Sequence, residues 1–177
     1  MSRTASIECG DNARDSDRRH NFTEDPIMNV GTICSRRVIT ANAQLDVQAA
    51  AELMREEHVG FLVVVPEQPR GPQPPLGVIT DRDIVVAVVA KRADPASLKV
   101  GDVMSIQPVV VGESDAIDLA LRTMRRAGVR RVPVVNSRGE AVGVLSLDDL
   151  LEFVAHEMDC LSGAVRNGRQ IEGATRT

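Results

Sequence analysis

The strongest constraint on the fold of this chain is an internal repeat. The segment GVITDRDI at residues 77–84 returns in altered form as GVLSLDDL at residues 143–150. Upstream, VGTICS at residues 30–35 returns as VGDVMS at residues 100–105. Because the same motifs occur twice in the same order, we expect two similar supersecondary units that bury their apolar faces against each other.

Each copy alternates between strand-like and helix-like hydrophobic patterns. A short β-branched run leads into apolar residues at helical spacing, then into two continuous apolar runs and a second helix. The central runs are FLVVV at residues 61–65 and VPVV at residues 132–135. The pattern predicts an α+β fold of two pseudo-symmetric β-α-β-β-α repeats. We expect them to pack sheet to sheet, because a unit of about sixty residues buries little surface alone.

Composition sets the boundaries around this repeat. Residues 1–27 are polar and charged with few apolar side chains, which predicts a disordered N-terminal tail. We assign residues 28–95 to the first repeat and residues 96–160 to the second. Gly163 is expected to end the last helix, which leaves residues 161–177 as a frayed C-terminal tail.

The overall charge and composition exclude some classes of partner. A net charge of −4 offers no footprint for a polyanion, and the absence of Trp and Tyr removes stacking platforms, so we expect no nucleic-acid partner. No apolar run is long enough to cross a bilayer, and the first residues lack the pattern of a signal peptide, so we expect no membrane partner and a cytoplasmic protein. The three cysteines are widely spaced and are interpreted as free thiols.

A hydroxyl and a carboxylate three residues apart follow the last strand of each copy. These pairs are Thr80 with Asp83 and Ser146 with Asp149. Local structure alone can explain both, because such residues cap a helix and face its free N–H groups. Their occurrence in both copies favours an additional role.

Catalytic motifs are lacking in this sequence. It contains no phosphate-binding glycine loop and no nucleophile elbow, and its three histidines are scattered, so we expect no enzyme. Glu152, His156 and Cys160 would share one face of the last helix and could hold a metal, although a solvated or interface face is the favoured interpretation.

These motifs, taken in order over about residues 30–157, resemble a tandem pair of CBS domains, the Bateman module. The resemblance implies a regulatory module that binds adenine nucleotides or related ligands in clefts between the sheets, and that commonly dimerises. It also implies that each hydroxyl–carboxylate pair serves a ligand. A carboxylate can accept hydrogen bonds from both hydroxyls of a ribose, and a hydroxyl at a helix start suits a phosphate oxygen.

Related modules build each cleft with walls from the other copy, and the resemblance carries these walls to this chain. The residues implied beside Ser146 and Asp149 are Val38, Thr40, Val59 and Gly60. The residues implied beside Thr80 and Asp83 are Val109, Val110 and Val129.

Basic residues distinguish the two implied sites. Arg130 and Arg131 precede the central strand of the second copy, where the first copy has Gly60 and a phenylalanine, although Arg82 lies inside the first motif. We therefore expect the site of Ser146 and Asp149 to bind phosphate better. A solvated strand edge or a partner contact remains the alternative role for the arginine pair.

Three functions follow from these observations. The preferred one is a nucleotide sensor for AMP, ADP or ATP that changes conformation in a homodimer and acts on an unidentified protein partner, with no permanent cofactor. Leu151 and Phe153, on different sides of the last helix, indicate that part of it meets a second chain. The alternatives are a scaffold that binds no nucleotide, and a binder of S-adenosylmethionine, a dinucleotide or a metal.

Overall fold

A computed structural model describes residues 28–67 and 74–175. The segment 1–27, predicted to be disordered, lies outside the described residues. The described residues form two units, Met28–Leu151 and a helical segment from residue 152 onward, and each is considered separately. The helices are α1 (Val30–Ile33), α2 (Val47–Glu57), α3 (Asp81–Ile84) with a following π-helical turn (Val85–Val89), α4 (Val100–Val103), α5 (Ile117–Ala127) and α6 (Leu147–Thr175). The strands are β1 (Thr40–Asn42), β2 (Phe61–Val65), β3 (Gly77–Thr80), β4 (Ser105–Ile106), β5 (Val111–Gly112), β6 (Arg131–Val135) and β7 (Ala141–Ser146).

Two small sheets form the centre of the unit Met28–Leu151. Their strand orders are β1-β2-β3-β4 and β5-β6-β7. In each sheet the first strand is parallel to the second and the remaining pairs are antiparallel. The two halves therefore share one topology, as the repeat predicts.

Both faces of the central strands are buried, which explains why their runs are continuously apolar. In β2, Leu62 and Val64 belong to a core cluster with residues of α2 and α4. Val63 lies on the opposite face and is also fully buried, as is Pro133 in β6. The second faces are thus covered as well, which agrees with sheets that pack against each other. The prediction of an α+β fold with two packed repeats is confirmed.

The opening segment of each repeat docks on the other repeat. The backbone N–H of Val30 donates to Asp115 O at 2.9 Å, and that of Val100 donates to Leu45 O at 2.9 Å. Val30 belongs to the core cluster of the second sheet, and Val100 to that of the first. Residues assigned from the sequence to one repeat thus complete the core of the other repeat, and the two repeats interleave.

Two glycines make this exchange possible. Ser35 forms an antiparallel bridge with Val144 of β7, and β4 pairs with β3. A Cβ added at Gly143 would lie 2.9 Å from Ser35 O, and one at Gly77 would lie 2.7 Å from Ser105 O. The GV pair that opens both copies of the motif therefore leaves room for the backbone of the exchanged segment.

The ends of three elements differ from the sequence-based expectation. Strands expected at residues 38–40 and 109–111 form only from Thr40 and Val111, where they enter register with β2 and β6. The expected end of the last helix at Gly163 is wrong, since α6 continues to Thr175 and includes residues assigned to a frayed tail. A glycine ends a helix by adopting a left-handed conformation, and Gly163 is not among the glycines with positive φ.

Candidate functional site

Ser146 and Asp149 lock together at the start of α6. Asp149 Oδ2 accepts hydrogen bonds from Ser146 N at 2.8 Å and from Ser146 Oγ at 2.6 Å. Ser146 Oγ in turn accepts from Asp149 N at 3.1 Å. This reciprocal arrangement is a capping box, which satisfies N–H groups that have no partner within the helix. Among the described residues, Asp149 Oδ1 makes no hydrogen bond.

The first copy repeats the same geometry at the start of α3. Asp83 Oδ2 accepts from Thr80 N at 2.9 Å and from Thr80 Oγ1 at 2.7 Å, and Asp83 N donates to Thr80 Oγ1 at 3.1 Å. Both hydroxyl–carboxylate pairs therefore have a structural role in capping. Any difference in ligand binding between them must come from their surroundings.

A cleft of about 220 Å³ adjoins Ser146 and Asp149. It is built by both repeats: the chain leading from α1 to β1 and the start of β2 form one side, and β6, β7 and the start of α6 form the other. The lining residues are Ser35, Arg37, Ile39, His58, Val59, Gly60, Phe61, Arg131, Val144, Ser146 and Asp149.

The structure brings some of the predicted wall residues to this cleft and leaves others out. Val59 and Gly60 line it, whereas Ile39 takes the place expected for Val38 and Thr40. Successive side chains of an extended segment point to opposite sides, so Ile39 faces away from both of its neighbours. The cleft is thus bordered by the expected segment but through Ile39, and the assignment of ligand-binding residues stays a prediction.

The arginine pair is divided between two depressions of the surface. Arg131 is the first residue of β6, pairs with Ser146 across the sheet and lines the cleft. Arg130 precedes the strand and borders a different depression, beside Arg122 and Arg125 of α5. Of the two arginines expected at one site, Arg131 borders this cleft and Arg130 does not, and their role in ligand binding stays a prediction. No ion pair engages Arg131 within the described part of the chain.

Three further polar residues line the cleft without having been predicted, and the first of them is Ser35. Arg37 lines it and also forms an ion pair with Glu57 at the end of α2. His58 follows α2 in a left-handed conformation with φ 54°. A signal for His58 was present, because the aligned residue of the second copy is Gly128, the usual residue for that conformation.

The predicted residues of the first-copy site are dispersed. Asp83 and Arg82 border a depression beside α4, while Val129 borders the one that contains Arg130. Val109 and Val110 are partly exposed, at 37% and 38%. The two sites thus differ more than the similarity of their motifs indicates.

A buried thiol lies beside the wall of the cleft. Cys34 belongs to the core of the second sheet and adjoins Gly143. Burial raises the pKa of the Cys34 thiol, the cation of Arg36 opposes that change, and the anion of Asp149 adds to it. The thiol is therefore held in its neutral form.

Comparison with known proteins identifies the fold. The protein-family model of the CBS domain matches residues 30–90 and 100–156, the two copies of the repeat.

This chain belongs to the CBS domain family. Uncharacterized protein MK0525 of Methanopyrus kandleri is 34% identical to this CBS pair over 126 residues, which are 71% of this chain. The chain spans 62% of the length of that relative.

Solved CBS structures have the same architecture. CBSX2 in complex with AMP has a TM-score of 0.61 and 24% identity, covering 73% of this chain and 98% of that one. The CBS domain pair of MJ0100, in complex with 5-methylthioadenosine and S-adenosyl-L-methionine, has a TM-score of 0.64 and 23% identity, covering 75% and 99%. These likenesses show that the chain has the fold of a CBS pair.

The metal site considered on the last helix of the CBS pair gains little from the structure. His156 Nε2 and Cys160 Sγ lie 3.8 Å apart. Across residues 28–67 and 74–175, no group of three His, Cys, Asp or Glu side chains could hold a metal ion. Within the same residues, every helix falls short of the length or apolar character required to cross a bilayer.

Proposed function

We propose that this CBS pair is a regulatory module that senses an adenine nucleotide of the AMP, ADP or ATP type in the cleft of Ser146 and Asp149. One observation carries the proposal: the cleft joins a carboxylate oxygen free of hydrogen bonds, on Asp149, to an arginine free of ion pairs, Arg131, among the described residues. A nucleotide needs both groups, since its ribose donates hydrogen bonds and its phosphate is an anion.

Each part of a nucleotide finds a matching chemistry. Asp149 Oδ1 can accept from a ribose hydroxyl while Oδ2 keeps the helix capped. Arg131 supplies a cation for phosphate from the wall formed by β6, and His58 lies on the opposite wall. Ile39, Val59 and Val144 offer an apolar surface for the purine ring. A cleft of about 220 Å³ is smaller than the roughly 300–1,000 Å³ of typical ligand pockets, so part of the nucleotide would extend towards solvent.

The position of the cleft provides a route to regulation. Its walls come from both repeats, so a ligand that contacts both walls favours one relative arrangement of the two sheets over others. In a homodimer, that shift would alter the surface presented to a regulated partner.

The ligands bound by relatives are compatible with this assignment. CBSX2 was solved with AMP, and the pair of MJ0100 with two adenosyl compounds. All of these ligands contain adenine and a ribose-derived ring. At 23–24% identity these similarities support the fold alone, so the ligand class of this chain is argued from its own cleft.

A scaffold that binds no nucleotide is the second candidate. It is favoured by the capping boxes, since both motif carboxylates already have a structural role that would keep them in the fold without any ligand. Ligand-binding measurements separate the two candidates.

The decisive experiment compares matched variants by calorimetric titration with AMP, ADP, ATP, 2′-deoxy-AMP and S-adenosylmethionine. Asp149→Ala and Asp83→Ala each remove one capping carboxylate, so they share the structural cost. We expect only Asp149→Ala to abolish AMP binding, and we expect the deoxy analogue to bind more weakly than AMP.

Arg131→Ala and Arg130→Ala test the phosphate contact in the same way. We expect Arg131→Ala to weaken AMP binding by at least tenfold, because a charge-assisted contact is lost, while Arg130→Ala leaves it nearly unchanged. S-adenosylmethionine, which has no phosphate, should respond to neither. Absence of binding by every ligand at millimolar concentration would contradict the sensor and favour the scaffold.

A further inference from the structure

An apolar stripe runs along α6 beyond its first turn. Its members alternate at spacings of three and four residues, and each is at least 46% exposed. They are Leu151, Val154, Met158, Leu161 and Val165. A spacing of this kind, averaging 3.5 residues, is the pattern of the a and d positions of a two-stranded coiled coil.

Charge along the same helix is strongly divided. From residue 147 to residue 165 the charged side chains are all acidic, and they include Asp148, Glu152 and Glu157. The next two charged residues are Arg166 and Arg169. Two parallel copies of α6 would align like charges, whereas two antiparallel copies bring the two arginines of each beside the acidic stretch of the other.

We propose that the α6 stripe pairs with the α6 stripe of a second copy of this chain as an antiparallel coiled coil. The register places Met158 against Leu161 of the second copy and Val154 against Val165. The two-fold symmetry repeats each contact, so one stripe complements itself. Leu151 then faces Gly168, which closes the seam after about 27 Å of helix.

The flanking positions of the seam agree with this register. In antiparallel pairs the e positions face each other, and Arg169 then lies opposite Asp148 of the second copy. Both side chains are exposed in the single chain. The remaining flanking positions near the centre include Ala155, Ser162 and Ala164, whose small side chains allow the helices to approach closely. A parallel seam places no opposite charges together.

This inference rests on the proposed homodimer and is independent of nucleotide binding. In such a symmetric dimer, the paired α6 helices would join the two CBS pairs in one defined arrangement.

The first experiment measures the mass of the full chain by sedimentation with two matched variants. Leu161→Asp places a charge in the seam, and His156→Asp places the same charge on the outer side of α6. We expect twice the chain mass of 19.1 kDa for the parent and for His156→Asp. For Leu161→Asp we expect the dissociation constant of the dimer to rise at least tenfold. An unchanged thermal transition of Leu161→Asp would show that residues 28–151 still fold.

Two results of that experiment would overturn the inference. A parent that is monomeric at 100 µM or so would contradict both the coiled coil and the proposed homodimer. A dimer equally stable in both variants would contradict the coiled coil alone and assign the homodimer to another surface.

A nitroxide label at Asn167→Cys, with Cys9 and Cys160 replaced by serine, reads the orientation. In the antiparallel register the two labels are offset by about 22 Å along the axis, whereas in a parallel pair they lie side by side. Strong short-range dipolar broadening would overturn the antiparallel arrangement.

As a check of register, Arg169→Glu should weaken the dimer severalfold and Asp148→Lys in the same chain should restore it; failure to restore would reject this register.

Discussion

At the scale of single residues, the two repeats show what a residue does by comparison with its counterpart. α2 and α5 both end in a left-handed residue whose N–H bonds to the last turn, His58 at φ 54° and Gly128 at φ 66°. The conformation costs a residue with a Cβ roughly 1–2 kcal/mol, and glycine avoids that cost. His58 lines the cleft, so the strained residue lies at the proposed ligand site.

Replacing His58 by glycine should therefore stabilise the ligand-free protein and weaken its binding. We expect His58→Gly to raise the free energy of unfolding by about 0.5–1 kcal/mol, because relief of strain exceeds the added freedom of the unfolded chain. Urea unfolding measures the first effect, and AMP titration should show a severalfold loss of affinity. Gly128→Ala, the reverse change at the counterpart, should lower stability by about 1 kcal/mol. A less stable His58→Gly protein would show that the imidazole contributes to folding.

The raised pKa of the Cys34 thiol predicts that the free energy of unfolding decreases at alkaline pH. Burial raises its pKa in the folded state above the value of about 8.5 in an unfolded chain. Its contribution to stability is thus complete below pH 8.5 and is lost as the pH rises towards the folded-state pKa. Unfolding free energies at pH 7 and pH 10 should differ more for the parent than for Cys34→Ala. Equal pH dependence in the two proteins would contradict the shift.

At the scale of elements, the exchanged segments connect stability to the cleft. Ser35 pairs with Val144 beside Gly143, and both residues line the cleft. Ser105 pairs with Val78 beside Gly77 on the other sheet, away from this cleft. The two contacts occupy equivalent positions in the two repeats, but only the contact of Ser35 borders the cleft.

Alanine at these glycines should separate folding from binding. Gly143→Ala and Gly77→Ala each force a Cβ against a backbone oxygen and should lower the free energy of unfolding by about 1–3 kcal/mol. Only Gly143→Ala displaces a wall of the cleft, so only that variant should lose AMP affinity at a temperature where both are folded. Equal losses of affinity would indicate that the exchange acts on the site through the whole fold.

At the scale of the whole molecule, the exchange should make the two repeats fold together. Each core contains a segment of the other repeat, so neither can unfold without opening both. We expect a single thermal transition for residues 28–151, with calorimetric and van't Hoff enthalpies that agree. Gly77→Ala and Gly143→Ala should shift this one transition. Two resolved transitions would show that the repeats are energetically separate.

Features that depend on residues close in sequence could be predicted, whereas features that depend on distant contacts could not. The motif of Ser146 and Asp149 was readable because its hydrogen bonds join residues three apart. Of the residues expected at that site, Val59, Gly60 and Arg131 line the cleft, while Val38, Thr40 and Arg130 do not. Val38 and Thr40 differ from Ile39 in the direction of the side chain along an extended segment, where a shift of one residue reverses the face.

The sequence alone determined the repeat, the order of its strands and helices, and the capping of α3 and α6, because hydrophobic period and local hydrogen bonds are written in neighbouring residues. The tertiary structure decided which repeat each opening segment joins, which of two adjacent arginines enters the cleft, and that α6 continues through Gly163. The exchange rests on backbone hydrogen bonds such as that between Val30 and Asp115. Every residue except proline can donate such a bond, so no side chain in the sequence announces it.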